Sequence, residues 1–159
     1  MEDLLIVIIR WLHVLSGVMW IGLLWYFNFV QIPSMPKIPD DQKPAIGKVI
    51  APEALFWFRW SALSTVVFGL ILAMMNGYLV DALVLNNALI GFGMWLGLIM
   101  AFNVWFVIWP NQQKALGMVE VEADAKAKAA RTAMLFSRTN TMLSVPMLFA
   151  MVAAQNMTL

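Results

Sequence analysis

The side chains best placed to do chemistry in this sequence stand within about three turns of its first apolar run. His13 is the single histidine of 159 residues. Ser16, Gly17 and Trp20 follow it at i+3, i+4 and i+7, and so share a helical face with it. Arg10 lies one turn before it. An imidazole inside a membrane span has three roles open to it: a neutral hydrogen-bonding group, an axial ligand to haem iron, or a proton relay or ligand to another metal. With haem, Arg10 would pair with a propionate, and Ser16, Gly17 and Trp20 would shape the contact face. One histidine per chain leaves the second axial position to a second copy's His13, to one of the 13 methionines, or open. The small residues also suit plain helix packing.

A second group gathers by depth rather than along one helix. Asn28 closes the first apolar run, Arg59 lies about two turns into the next, Asn103 is late in the third, and Arg138 and Asn140 are early in the fourth. Arginine at membrane depth costs several kcal/mol unless it snorkels or finds partners. These five residues therefore read as one polar cluster, with Glu53 as a counter-ion. Either the arginines reach headgroups and the asparagines bridge helices, or the cluster is an anion, quinone or substrate site.

The elements that carry these residues follow from composition. The chain is 62% hydrophobic and 12% charged, against roughly 25% charged in soluble domains. That predicts an all-α integral membrane four-helix bundle, a single domain over residues 1–159, with spans at 4–30, 53–75, 88–109 and 132–154. The first run is too long for a signal peptide's apolar region, and Glu2 and Asp3 precede it where positive charge is needed. Pro33, Pro36, Pro39, Pro44 and Pro52 are expected to break the helix through 31–52, and Pro110 to limit the third span. Residues 110–131 read as a solvated helix leading into the fourth span. Lys37, Lys43, Lys48, Lys114, Lys126, Lys128 and Arg131 all fall in 31–52 and 110–131, which places both loops in the cytoplasm and both termini in the periplasm. The absence of cysteine excludes disulfides, thiolate-held clusters and covalently attached haem. Nothing resembles a nucleic-acid-binding face.

The segments RWLHVLSGVMWIGLLWYFNFVQIP, PEALFWFRW, IMAFNVWFVIWPNQQK and SRTNTMLSVPMLFAM resemble the membrane-embedded N-terminal domain of bacterial cytochrome-c-linked urate oxidases (urate hydroxylases). A fainter similarity, confined to WLHVLSGVMWIG, extends to the copper-resistance D and bacterial protoporphyrinogen oxidase membrane proteins, in which a first-helix histidine is associated with haem or metal. The resemblance implies a bacterial inner-membrane protein tied to redox chemistry. Family members that oxidise urate carry a C-terminal cytochrome c domain. This chain reaches Leu159 without a cysteine, so its expected redox partner is another polypeptide, and urate oxidation is not carried over.

Two functions follow as expectations. One is a small redox protein holding haem b and exchanging electrons with a respiratory or cytochrome c partner. The other is a non-catalytic scaffold or accessory subunit whose polar residues specify packing. Gly17, Gly22, Gly91, Gly93 and Gly97 suit close helix contact between subunits as well as within one, so a homo-oligomer or a larger membrane complex is expected in either case.

Overall fold

Long apolar segments satisfy their own backbone groups when they coil, and every long segment here does so. The computed structural model describes residues 1–157, and no strand occurs among them. Helical stretches run over Glu2–Lys37 (α1), Lys43–Met75 (α2), Leu79–Leu83 (α3), Ala88–Ala115 (α4) and Ala123–Asn156 (α5). Three of them, α1, α2 and α4, are long and apolar enough to cross a membrane.

Pro39 stands in the break between α1 and α2, with Pro36 and Pro44 in the turns that flank it, but Pro33, Pro52 and Pro110 do not break the helices as their sequence positions suggest. The chain leaves helical geometry between α1 and α2 only over residues 38–42, and α4 passes Pro110 and continues to Ala115. The reason is a local widening of the coil. Tyr26–Gln31, Ile46–Ile50 and Asn103–Ile108 are π-helical, and Pro33, Pro52 and Pro110 each follow within two residues. The residue before each proline donates its N–H five positions back: Ile32 to Phe27, Ala51 to Ile46 and Trp109 to Val104. A proline in a regular α-helix leaves a carbonyl without its donor and collides with it. The shifted register engages the preceding carbonyls first, so each proline begins a fresh turn, where its missing N–H costs nothing.

α1 and α2 form one antiparallel hairpin, and α4 and α5 form another. α3 caps the start of α4. The carbonyl oxygen of Ala82 sits against Gly91, where any side chain would overlap it, and Trp95 Nε1–H donates to Leu83 O at 3.1 Å. Between the hairpins, Trp20, Leu24, Phe58, Met100, Val104 and Ile108 are almost wholly buried, and Phe27 meets Phe58 edge to face at 5.7 Å. Facing outward instead are Phe29, Phe106, Met142, Val145 and Phe149, each more than 60% exposed. That inside-out distribution suits a lipid surround.

α5 is less apolar because it supplies polar partners to the rest of the bundle. Ser137 accepts from Asn28 Nδ2 at 2.8 Å, Ser144 from Trp25 Nε1 at 2.9 Å, and Asn140 pairs with Asn103. The side-chain hydrogen bonds between the two hairpins among the described residues, Trp25 to Ser144, Asn28 to Ser137 and Trp105 Nε1 to Arg59 O (3.1 Å), run from mid-bundle toward the end that carries the lysine-rich turns.

Candidate functional site

Beyond Trp25, which stands on its wall, the hairpins separate around a cavity of about 730 Å³. All four long helices line it, and the volume falls within the range of small-molecule and cofactor sites. Its walls are mainly Val, Ile, Leu and Met, with a small number of polar groups.

His13 is held from behind. Its Nδ1–H donates to the Thr65 carbonyl across the α1–α2 contact at 2.8 Å. That carbonyl is a pure acceptor, so Nδ1 carries a proton, and in the neutral imidazole this leaves Nε2 as the free lone pair. Nε2 has no hydrogen-bond partner among the described residues. The ring can stand there because position 69 is glycine: a Cβ on Gly69 would lie 2.8 Å from Cε1 and 3.0 Å from Nδ1 of His13. One turn nearer the N-terminus, α2 presents Thr65 to Gly17, with Thr65 Cγ2 3.8 Å from where a Gly17 Cβ would be.

Arg10, Gly17 and Trp20 join His13 on the cavity wall, while Ser16 is half-buried and does not line it. Trp20 is 1% exposed and its indole N–H has no partner among the described residues. Tyr78, in the turn after α2, also lines the cavity, close enough to Arg10 to feel its charge. Burial raises the Tyr78 phenol above its usual range, with Arg10 pulling the other way, so the hydroxyl keeps its proton. Sequence reasoning missed Thr65, Gly69 and Tyr78. Gly69 alone left a trace, as a glycine interrupting VVFGLILA.

The polar group expected at the other end is only partly assembled. Asn103 and Asn140 are buried and joined, Asn103 Nδ2 donating to Asn140 Oδ1 at 2.9 Å and Asn140 Nδ2 to Met100 O at 2.9 Å. Asn28 is on Ser137, one turn before Asn140. Arg59 lies over the Trp109 ring, its guanidinium carbon 3.6 Å from the centroid, with Nη1 buried and unpaired. Arg138 does not join them: it is exposed, because Ser137 and Asn140 take the inward face of α5. Glu53 accepts from Trp57 Nε1 at 3.0 Å rather than from an arginine, and the ion pair found among the described residues is Lys43 with Asp40 at 2.6 Å. The Asn103–Asn140, Asn28–Ser137 and Arg59–Trp109 contacts bridge helices, whereas those of Glu53 and Lys43 are local, and none of these residues lines the 730 Å³ cavity.

A family model described as urate oxidase N-terminal matches residues 79–158, just over half of the chain. The chain belongs to the urate oxidase N-terminal family. The matched region takes in α3, α4 and α5, so the hairpin that carries His13 lies outside it. No curated protein and no solved structure matches the chain.

The residues present fit a haem better than a bare metal ion. Among the described residues no three His, Cys, Asp or Glu side chains gather as a metal site. A porphyrin brings four ligands of its own, so one oriented imidazole suffices for binding. The His13 arrangement, with one ring nitrogen donating to a backbone carbonyl and the other free, is the usual support of a metal-ligating histidine. The cavity lining is mainly apolar, as a macrocycle needs, and includes Arg10 and Tyr78, which would donate to carboxylates.

Proposed function

We propose that this chain is a small bacterial inner-membrane redox protein that holds one haem b in the seam between its hairpins and exchanges electrons with a respiratory or c-type cytochrome partner. The observation that carries the reading is His13, whose Nδ1–H is tied to Thr65 O while Nε2 is left without a partner on the wall of an apolar 730 Å³ cavity. When bound, the haem would supply one-electron transfer. The chain's part is to ligate through Nε2, to hold the ring's orientation through Thr65 and Gly69, to meet carboxylates with Arg10 and Tyr78, and to keep water out with Trp20 and Trp25. Attachment is non-covalent, since the chain has no cysteine.

In this reading α5 is the fourth span, its polar face turned inward to Asn28, Trp25 and Asn103. The lysine-bearing turns lie in the cytoplasm and both termini in the periplasm, which puts the cavity in the periplasmic half, within reach of a periplasmic electron carrier. The family's name links it to urate oxidation, and the reading takes from that link only the redox class. The glycines expected at subunit contacts are taken up within the chain, Gly17 against Thr65, Gly91 against Ala82, Gly93 against Ala150, and Gly22 and Gly97 on the cavity wall. The homo-oligomer or larger membrane complex therefore rests on the exposed apolar surface; native mass spectrometry in gentle detergent would reveal it.

The visible spectrum of the protein purified in mild detergent, after expression with ample haem, tests this. Stoichiometric Soret and α bands in the wild type, lost in a membrane-inserted His13→Ala variant, are the expected result. Full retention of those bands in His13→Ala, or a colourless wild type, refutes it. A colourless protein that still assembles with a partner would support the second reading, a scaffold subunit, which the packing bond between Asn103 and Asn140 favours.

A further inference from the structure

One wall of the cavity offers His13; the facing wall offers no second nitrogen ligand, but it carries Met94, Met147 and Met151. A flat group placed in the seam would present one face to the α1–α2 hairpin and the other to the α4–α5 hairpin. A soft thioether is a competent partner for haem iron opposite an imidazole.

The antiparallel register of α1 and α5 sets one of the three apart. Trp25 faces Ser144 and Asn28 faces Ser137. Carried along both helices residue by residue, that pairing puts His13 opposite the last turn of α5, from Val152 to Asn156. Met151 lies at the edge of this level. Met147 is a full turn deeper, about 6 Å below Met151 at 1.5 Å per residue, and it is 6% exposed within the core around Trp20 and Leu24. Met94 follows Gly93, and Gly93 faces Ala150 and Met151, so Met94 lies within about 1.5 Å of the Met151 level; depth leaves both, and the seating against Gly93 singles out Met151.

Met151 has the same kind of support as His13. A Cβ on Gly93 would come within 3.3 Å of Met151 Cε and 3.5 Å of its Cγ. Each hairpin thus seats a candidate ligand against a glycine of its own neighbouring helix: His13 against Gly69, Met151 against Gly93. We infer that Met151 is the second axial ligand, giving a histidine–methionine haem within a single chain rather than a haem shared between two copies. The inference rests on the haem reading above and adds the ligand class. Thioether ligation favours the reduced iron and raises the reduction potential.

The test uses the full chain loaded with haem in mild detergent, read by visible and near-infrared absorption, electron paramagnetic resonance and redox titration. The wild type is expected to be six-coordinate and low-spin, with a sulfur-to-iron charge-transfer band. Met151→Leu should keep its haem, lose that band, become high-spin and bind carbon monoxide more readily. Met151→His should restore the low-spin state at a lower potential, which also shows that position 151 tolerates substitution. Met94→Leu and Met147→Leu should leave the low-spin signature intact. A Met151→Leu variant that is haem-loaded and spectroscopically unchanged, or loss of the band in Met94→Leu or Met147→Leu instead, overturns Met151 as the ligand and leaves the haem reading standing. A wild type without haem overturns both.

Discussion

Substituting Gly69 by alanine tests how His13 is held, whatever the cavity takes up. The new Cβ would lie 2.8 Å from Cε1 of the imidazole, against roughly 3.5 Å for a relaxed contact between carbons. The ring must therefore retreat by about 0.7 Å. Moved directly away, it stretches the 2.8 Å bond to Thr65 O to about 3.5 Å, past the roughly 3.2 Å at which such bonds stop counting. Overpacking costs about 1–3 kcal/mol and the weakened hydrogen bond about 1 kcal/mol. From these, Gly69→Ala should destabilise the bundle by about 2–4 kcal/mol. The sign should change once the ring is gone. In a His13→Ala background nothing opposes the new methyl, and alanine's helix preference over glycine, worth up to about 1 kcal/mol, makes the substitution neutral or stabilising. A double-mutant cycle read by reversible denaturation in mixed micelles gives the coupling. Gly69→Ala costing the same in both backgrounds, within the roughly 0.5 kcal/mol expected of independent sites, would refute the claim that position 69 is glycine to make room for His13.

Other outcomes follow from the same contacts. Asn140→Leu should cost about 1–3 kcal/mol by stranding the buried Asn103 amide, and Asn103→Leu added to it should cost little more; thermal unfolding of the single and double variants checks this. Gly91→Ala should destabilise by about 1–3 kcal/mol, because the obstruction is the backbone carbonyl of Ala82 rather than a movable side chain; the same unfolding assay reports it. Because the chain has no cysteine, single cysteines report sidedness cleanly. Gln42→Cys and Glu120→Cys should react with impermeant maleimide only from the cytoplasmic side and Gln155→Cys only from the periplasmic side, and the reverse pattern would invert the proposed orientation.

The apolar runs and the solitary histidine were legible because they depend on one segment at a time. What was hidden depends on two. Thr65 and Gly69 meet His13 from another helix, at a register that no local pattern encodes. Depth along a helix could be counted from residue numbers, and on that basis Arg138 joined Asn140; which way a side chain faces could not be counted. Ser137 and Arg138 are neighbours about 100° apart around the axis, and the structure turns the serine inward to Asn28 and leaves the arginine outside. The prolines misled for a different reason. Their penalty is calculated against a regular α-helix, and Ile32, Ala51 and Trp109 each donate one residue further back than that helix allows. Tyr78 was passed over because it lies in a turn, where an aromatic residue carries no periodic signal.

The placing of the inter-hairpin hydrogen bonds makes the molecule a clothes-peg. Trp25, Asn28 and Trp105 form its spring, from mid-bundle toward the lysine-rich end. Beyond Trp25, which stands on the cavity wall and donates to Ser144, no side-chain hydrogen bond among the described residues joins the jaws. Prising those jaws apart breaks only dispersion contacts, which lipid tails can replace. Under the proposed function, the peg would assemble empty and take its flat, greasy ligand afterwards, and release of that ligand would leave the spring folded.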